Sequence, residues 1–259
     1  MNLLVFEIAT VPDIDGCRRL YDLHGLSDED VARAVFHRRR QQRNTESLPP
    51  HLQRIVVISA VLRAADQFRV WSLGDANSAE KDLLQRFYSG IARYSPRLVS
   101  WNGGAVDLPV IRYRSLLYPL NAAHYWETGD SDKGLVDGIY PGRDPQPHTG
   151  LIAALSGSFP GAVTGLDEVA GLCGFPGRMG ADDPDIWSLY LREDIEEVRR
   201  GCEINVLNTY LVYLNYERNR GNLDQAGYLT ECRRVRESLA ASPAEHLREY
   251  EKAWIDPGE

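Results

Sequence analysis

Three short segments carry the side chains that could do chemistry. In Phe6-Glu7-Ile8-Ala9-Thr10 an acid interrupts an apolar, β-branched run. In Ser100-Trp101-Asn102-Gly103-Gly104-Ala105-Val106-Asp107-Leu108-Pro109 an aspartate follows an Asn-Gly-Gly break. Gly201-Cys202-Glu203-Ile204-Asn205-Val206-Leu207-Asn208-Thr209-Tyr210 lies inside a long helical pattern. Carboxylates drawn from separate elements are the oxygen ligands that hard divalent cations take. A cation held in this way lets an acidic protein meet phosphate. Each residue also has a plainer reading. Glu7 could be a surface acid at a strand end, and Asp107 the first acid of its helix, favoured by the macrodipole. Asn205 shares a helix face with Val198, Cys202 and Thr209, so it points inward, where a hydrogen-bonded core amide is the alternative to a ligand. Cys202 fits a small core residue. Gly103-Gly104 could cradle a phosphate, but a tight turn is the commoner use of such a pair. His148 reads either as a loop histidine or as a site residue.

These residues need elements to position them. Leu3–Ile8 reads as a buried first strand ended by Thr-Val-Pro-Asp. Ser27 with the acids after it starts a helix to about Arg43. Arg54–Arg63 and Phe68–Leu73 form a plausible hairpin, and Arg97–Trp101 is another strand. Asn77 with Glu80 gives a cap pattern for a helix through Tyr94. Asp107–Leu117 is a helix with Pro109 in its first turn. Residues 122–149 have no clear period and read as a long irregular segment of the kind that often binds ligands. Thr164 caps a helix ending at Gly174, a longer helix covers about Glu193–Arg218, and two more follow. Ser242-Pro243-Ala244-Glu245 opens the last of these, with Ser242 as its cap. A domain edge falls near Arg220-Gly221-Asn222. This order of elements predicts an α/β fold with a mixed sheet covered by helices.

Composition sets the outer limits. With 29 Lys and Arg against 37 Asp and Glu, the chain of 259 residues has a net charge of −8. That excess argues against a broadly basic nucleic-acid binder but not against an enzyme that uses metal ions. Hydrophobic residues at 43% and charged residues at 25% exclude wholesale disorder. Cys17, Cys173, Cys202 and Cys232 form no close pair. A thiolate zinc site is not expected; reduced thiols and a cytoplasmic setting are. The N-terminus lacks a basic region before its short apolar run, so no signal peptide is expected, and no stretch is long and apolar enough to span a membrane. Arg33, Arg38, Arg39, Arg40 and Arg43 make a basic helix face. A solvated face is the default reading, and phosphate contact with a single strand is the alternative.

Read together, the three segments resemble the exonuclease motifs of the DnaQ-like (RNase H-like) superfamily, and in particular those of the PolB-like predicted 3′–5′ exonuclease family. Members of that family read FDIET-x-PD, NG-x-x-FDLP and YC-x-x-DV-x-x-T at the corresponding places. Val11-Pro12-Asp13, Asn102-Gly103, Asp107-Leu108-Pro109, Gly174-Phe175-Pro176-Gly177 and Val206 through Thr209-Tyr210 carry the resemblance. It spans residues 1 to about 218. It implies an RNase H-like α/β domain over residues 1–220 and a helical C-terminal appendage over 221–259. It also implies two-metal hydrolysis, with Mg²⁺ or Mn²⁺, at the 3′ ends of single-stranded DNA or RNA. No small-molecule cofactor and no membrane partner are expected. In that chemistry two ions about 4 Å apart polarise the phosphate, activate water and stabilise the leaving oxygen.

The chain departs from this pattern where the acids would lie. Glu7 stands where the family has Asp. Ala9 offers no ligand, Asn205 offers a neutral carbonyl, and Gly201 replaces a tyrosine that would orient water. In His148-Thr149-Gly150-Leu151 a further acid is replaced by Gly150. Glu7 and Asp107 remain as metal ligands, and Asn102, Gly103, Arg38, Arg39 and Arg40 as contacts to nucleic acid. Misplacing a catalytic group by 1 Å can already cost about 10²-fold in rate. The expectation is an exonuclease fold with weak metal binding and little or no activity. The alternative is a non-catalytic module for single-stranded nucleic acid or for interaction. Natural decay and deliberate alteration of the site both fit the substitutions.

Overall fold

The structure is a computed structural model that describes residues 2–65, 67–126, 148–157, 159–179 and 186–255. Its strands are β1 (Leu3–Pro12), β2 (Gln53–Ala64), β3 (Gln67–Ser72), β4 (Arg97–Ser100) and β5 (His148–Gly150). The first helices are α1 (Ile14–Tyr21), α2 (Asp28–Arg43), α3 (Glu80–Tyr94), α4 (Asp107–Ser115), α5 (Ala123–Trp126) and α6 (Leu151–Ser156). After them come α7 (Leu166–Leu172), α8 (Ile186–Leu191), α9 (Ile195–Asn219), α10 (Gln225–Ala240) and α11 (Glu245–Ala253). Among the described residues the strands form one mixed sheet in the order β3-β2-β1-β4-β5. β1–β2 and β2–β3 are antiparallel, whereas β1–β4 and β4–β5 are parallel. The fold is therefore α/β, with a mixed sheet and C-terminal helices as an RNase H-like architecture requires.

Burial on both faces explains why β1 reads as a continuous apolar run. Leu3 and Val5 pack into a core with α9, α10 and α11. Leu4 and Phe6 point the other way, into a core with α3, α4 and α5. Tyr228, Val235 and Leu239 of α10 and Leu247 and Tyr250 of α11 share the first of these cores with Val61 and Leu211. No helix among the described residues is long and apolar enough to cross a membrane.

Several local expectations are corrected. β1 continues through Thr10-Val11-Pro12, pairing with Gln53–Ile55 after a register shift at Ala9/Thr10. Pro12 is tolerated because it is the last ladder residue, where its missing N–H costs least. Asp13 then caps α1, accepting the Gly16 N–H at 3.1 Å, a helix the apolar spacing did not announce. Asn77 does not cap α3; Ala79 holds that place. Glu80 turns inward, accepting the Ile55 N–H at 2.7 Å, rather than closing a capping box. Gly165, not Thr164, precedes α7, and the Thr164 hydroxyl bonds Glu168. Ser242 sits two residues before the cap of α11, and its hydroxyl accepts the Ala244 N–H at 3.2 Å. At Ser242 a short polar side chain satisfies a turn next to the helix instead of the helix end itself. His148 belongs to β5 rather than to a loop. Of the irregular segment 122–149, residues 127–147 lie outside the described residues.

Candidate active site

β4 ends beside the middle of the longer, parallel β1, and the chain leaving β4 must turn sharply to start α4. Gly103 makes that turn possible. A Cβ there would sit 2.0 Å from Ser100 Oγ and 2.9 Å from His148 Nε2. Without one, the Gly103 N–H donates to Ser100 Oγ at 2.8 Å, and the same hydroxyl bonds His148 Nε2 at 2.8 Å. Asn102, Gly103 and His148 are thus gathered at one end of the sheet for packing reasons. The turn delivers Asp107, the first residue of α4, against β1.

Asp107 is 4% exposed, and its carboxylate accepts the backbone N–H of Ile8 and its own N–H. Glu7 lies on the neighbouring strand. Its Oε2 is buried and has no hydrogen-bond partner among the described residues. Burial, and then the Asp107 charge, push the Glu7 carboxyl well above the ordinary carboxylate range. Burial pushes Asp107 up to about 7, against the pull of its two N–H donors. Cys202 from α9 stands next to this pair. Its Sγ donates to the Glu7 carbonyl at 3.6 Å, and burial followed by the Glu7 charge raises its pKa.

The remaining sequence candidates are placed differently. Ala9 is buried in an apolar cluster with Val57, Leu189, Val198 and Cys202, so α8 and α9 fill the space beside it. Asn205 is half-buried one turn beyond Cys202. Gly201 is exposed, with open space where a Cβ would project. Gly150 pairs with Ser100, and a Cβ there would make ordinary contact with His148 at 3.5 Å. On α2, which buries Val31, Ala32 and Val35, Arg38 and Arg40 are exposed and Arg39 is half-buried. Arg38 stacks over Tyr21 at 4.7 Å, Arg39 Nε donates to the Ser47 carbonyl at 2.8 Å, and Arg40 pairs with Glu46 at 2.7 Å.

Glu46 and Ser47 also border a groove of about 450 Å³ that starts at the C-terminal end of β1. Phe36 of α2, Thr10 of β1 and Trp187 of α8 line it. Trp187 stacks on Tyr190 with ring centroids 5.6 Å apart, and Arg54 donates to the Tyr190 hydroxyl at 3.2 Å. Sequence reasoning missed this aromatic pair; the i, i+3 spacing of Trp187 and Tyr190 was the available signal.

Among the described residues no group of three or more His, Cys, Asp or Glu gathers as a metal cage. Two buried carboxylates, one with an orphaned oxygen, nevertheless suit a single hard cation that keeps much of its water. The apolar surroundings of Ala9 do not suit a second.

Residues 45–254 match the family model described as predicted 3′–5′ exonuclease related to the exonuclease domain of PolB. The matched span includes Asp107, Gly201 and Asn205 and begins after β1, so Glu7 and Ala9 join the site through the sheet alone. No curated protein matches the chain.

Proposed function

The chain belongs to the family of predicted 3′–5′ exonucleases related to the exonuclease domain of PolB, and from that premise we propose that it binds single-stranded nucleic acid while hydrolysing phosphodiesters weakly or not at all. The observation that carries this reading is the Glu7–Asp107 pair set beside the apolar packing of Ala9. Glu7 and Asp107 would hold one Mg²⁺ or Mn²⁺, which when bound supplies positive charge to a phosphate. Its second-ion partners and the water-orienting tyrosine have no counterpart at Ala9, Asn205 and Gly201. Asp107 is held in place by the Ile8 N–H, and Gly103 keeps backbone close to the strand ends. The groove lined by Phe36 and Trp187 offers aromatic surface for bases, with Arg39 and Arg40 bonded to Ser47 and Glu46 at its rim.

The test is a paired assay on 3′-ended single-stranded DNA and RNA with Mg²⁺ and with Mn²⁺. It compares this chain with the combined variant Glu7→Asp, Ala9→Glu, Gly201→Tyr and Asn205→Asp, each checked for its fold by circular dichroism. Little trimming by the chain and a clear gain in the variant are expected. Robust metal-dependent trimming by the unaltered chain overturns the inactivity, and no gain in a folded variant overturns the site. For the binding half, replacing Arg38, Arg39 and Arg40 with Ala should flatten the salt dependence of oligonucleotide affinity. An unchanged slope removes those arginines from the binding surface.

A further inference from the structure

The edge strand β3 has no strand on its outer side among the described residues. The Leu73 N–H bonds the Ile58 carbonyl at 2.8 Å, so Trp71 and Arg69, at alternate positions, also direct their main-chain groups to β2. Phe68, Val70 and Ser72 must then turn theirs outward. The Ser238 hydroxyl meets the Phe68 carbonyl from that outer side at 3.5 Å. The main chain of Val70 and Ser72 opens instead into a trough of about 860 Å³.

Two features of the trough select its occupant. Its walls rise on both faces of the sheet edge, from α3 on one side and from α9 and the Ala241–Ala244 link on the other. That shape admits an extended chain lying alongside β3. The walls are also basic, although the chain as a whole is acidic. Arg69 lies over Trp71 at 5.0 Å, and Arg86 is exposed on α3. Arg199 reaches the Leu73 and Gly74 carbonyls at 3.4 and 3.2 Å. The acid in the wall, Glu203, is already engaged by Ser72 at 2.7 Å and His246 at 2.8 Å.

We propose that the outer edge of β3 is a docking site for an acidic, extended polypeptide segment of a partner protein, which adds to the sheet as a further strand. Main-chain pairing with Val70 and Ser72 supplies affinity, and Arg69 and Arg86 select acidic side chains. A nucleic-acid strand fits less well, because phosphodiesters offer acceptors but no donors to the outward carbonyls. A second copy of the chain fits less well too, since pairing β3 with itself brings Arg69 toward its own equivalent.

The probe is a short fluorescent peptide of alternating Glu and Val, titrated by anisotropy against the full chain. Binding is expected to weaken at least about tenfold when alternate peptide nitrogens are methylated, with the protein unchanged. It should weaken similarly in Val70→Pro, where the lost N–H faces outward and the ladder to β2 is kept. The combined Arg69→Glu and Arg86→Glu variant should also lose binding and serves if the proline variant does not fold. No binding, binding indifferent to N-methylation, competition by oligo-dT, or dimerisation abolished by Val70→Pro each overturns the proposal.

Discussion

Two pairs of buried acids sit a short distance apart on this fold and meet opposite fates. Asp13 and Glu80 share the buried guanidinium of Arg114, at 2.6 and 2.7 Å. Glu80 also accepts from the Ile55 N–H and from the Tyr118 hydroxyl, each at 2.7 Å. Burial disfavours the Arg114 charge, but the hydrogen bonds it donates to Glu80 and Asp13 outweigh that and raise its pKa. Among the described residues Glu7 and Asp107 pair with no cation; what they have there is backbone donors to Asp107, an orphaned oxygen on Glu7, and each other. The first cluster ties β1, β2, α3 and α4 together and leaves nothing for a ligand to do. Among the described residues the second lacks the counter-charge that its burial demands, which is why we propose it as the place for a cation.

The sharpest way to break this contrast is to give the first cluster the defect of the second. Arg114→Met should destabilise the fold by about 3–5 kcal/mol, because it leaves two buried acids without their cation. Urea unfolding at neutral pH measures it. A loss below about 1 kcal/mol would mean that the cluster is solvated and that the contrast is false. The reverse manipulation is the next largest. Asp107→Asn should stabilise the fold at pH 8 by on the order of 2 kcal/mol and change little at pH 4. The sign follows from a folded pKa near 7, above the ordinary value. The neutral carboxyl is compatible with burial below about pH 4, and that compatibility is lost as pH rises through 7. Parallel stability-versus-pH curves for the two proteins would remove the burial penalty on the Asp107 charge from the account. Third, millimolar Mn²⁺ at pH 8 should stabilise the unaltered chain by about 1.5 kcal/mol. The increment should vanish in Asp107→Asn and persist in Arg54→Ala, read as a melting shift.

The contrast also separates what could be read in the sequence from what could not. The apolar run of β1, the spacing of α9 and the Asn-Gly-Gly break all reflect local periodicity or turn chemistry, and each maps onto the structure at nearly its expected place. Glu7 and Asp107 could be singled out as candidates through the motifs around them, since each alone also reads as an ordinary strand-end or helix-start acid. Arg114 was not. It looks like any arginine near the end of a helix, and its partners lie 34 and 101 residues away in the chain. Glu80 misled for the same reason, since a capping-box spacing is satisfied in sequence whether or not the side chain turns inward. The apolar packing around Ala9 was equally hidden, because Val57, Leu189 and Val198 come from three separate elements. Long-range pairing decides which polar residues are scaffold and which are site, and no local pattern records it.

Glu203 tests the intermediate case and carries the smallest expected effect. It is buried on α9, one residue after Cys202, and is bonded by Ser72, which is itself bonded to Ser59, the β2 residue that pairs with Glu7. Its partners are a hydroxyl and an imidazole rather than a guanidinium. Burial opposes its charge, but the hydrogen bonds from His246 and Ser72 prevail and hold its pKa below the ordinary value. Such a group contributes stability above the ordinary glutamate pKa and loses it as pH falls through the lowered one. Glu203→Gln should therefore cost about 1 kcal/mol at pH 7 and progressively less toward pH 3, by urea unfolding. If the cost instead matched that of Arg114→Met, a hydroxyl and an imidazole would be satisfying a buried carboxylate as fully as a guanidinium does. The missing counter-charge at Glu7 and Asp107 would then no longer set them apart. If the cost grew on acidification, Glu203 would be stabilised as the acid, and the paired side of the comparison would reduce to Arg114 alone.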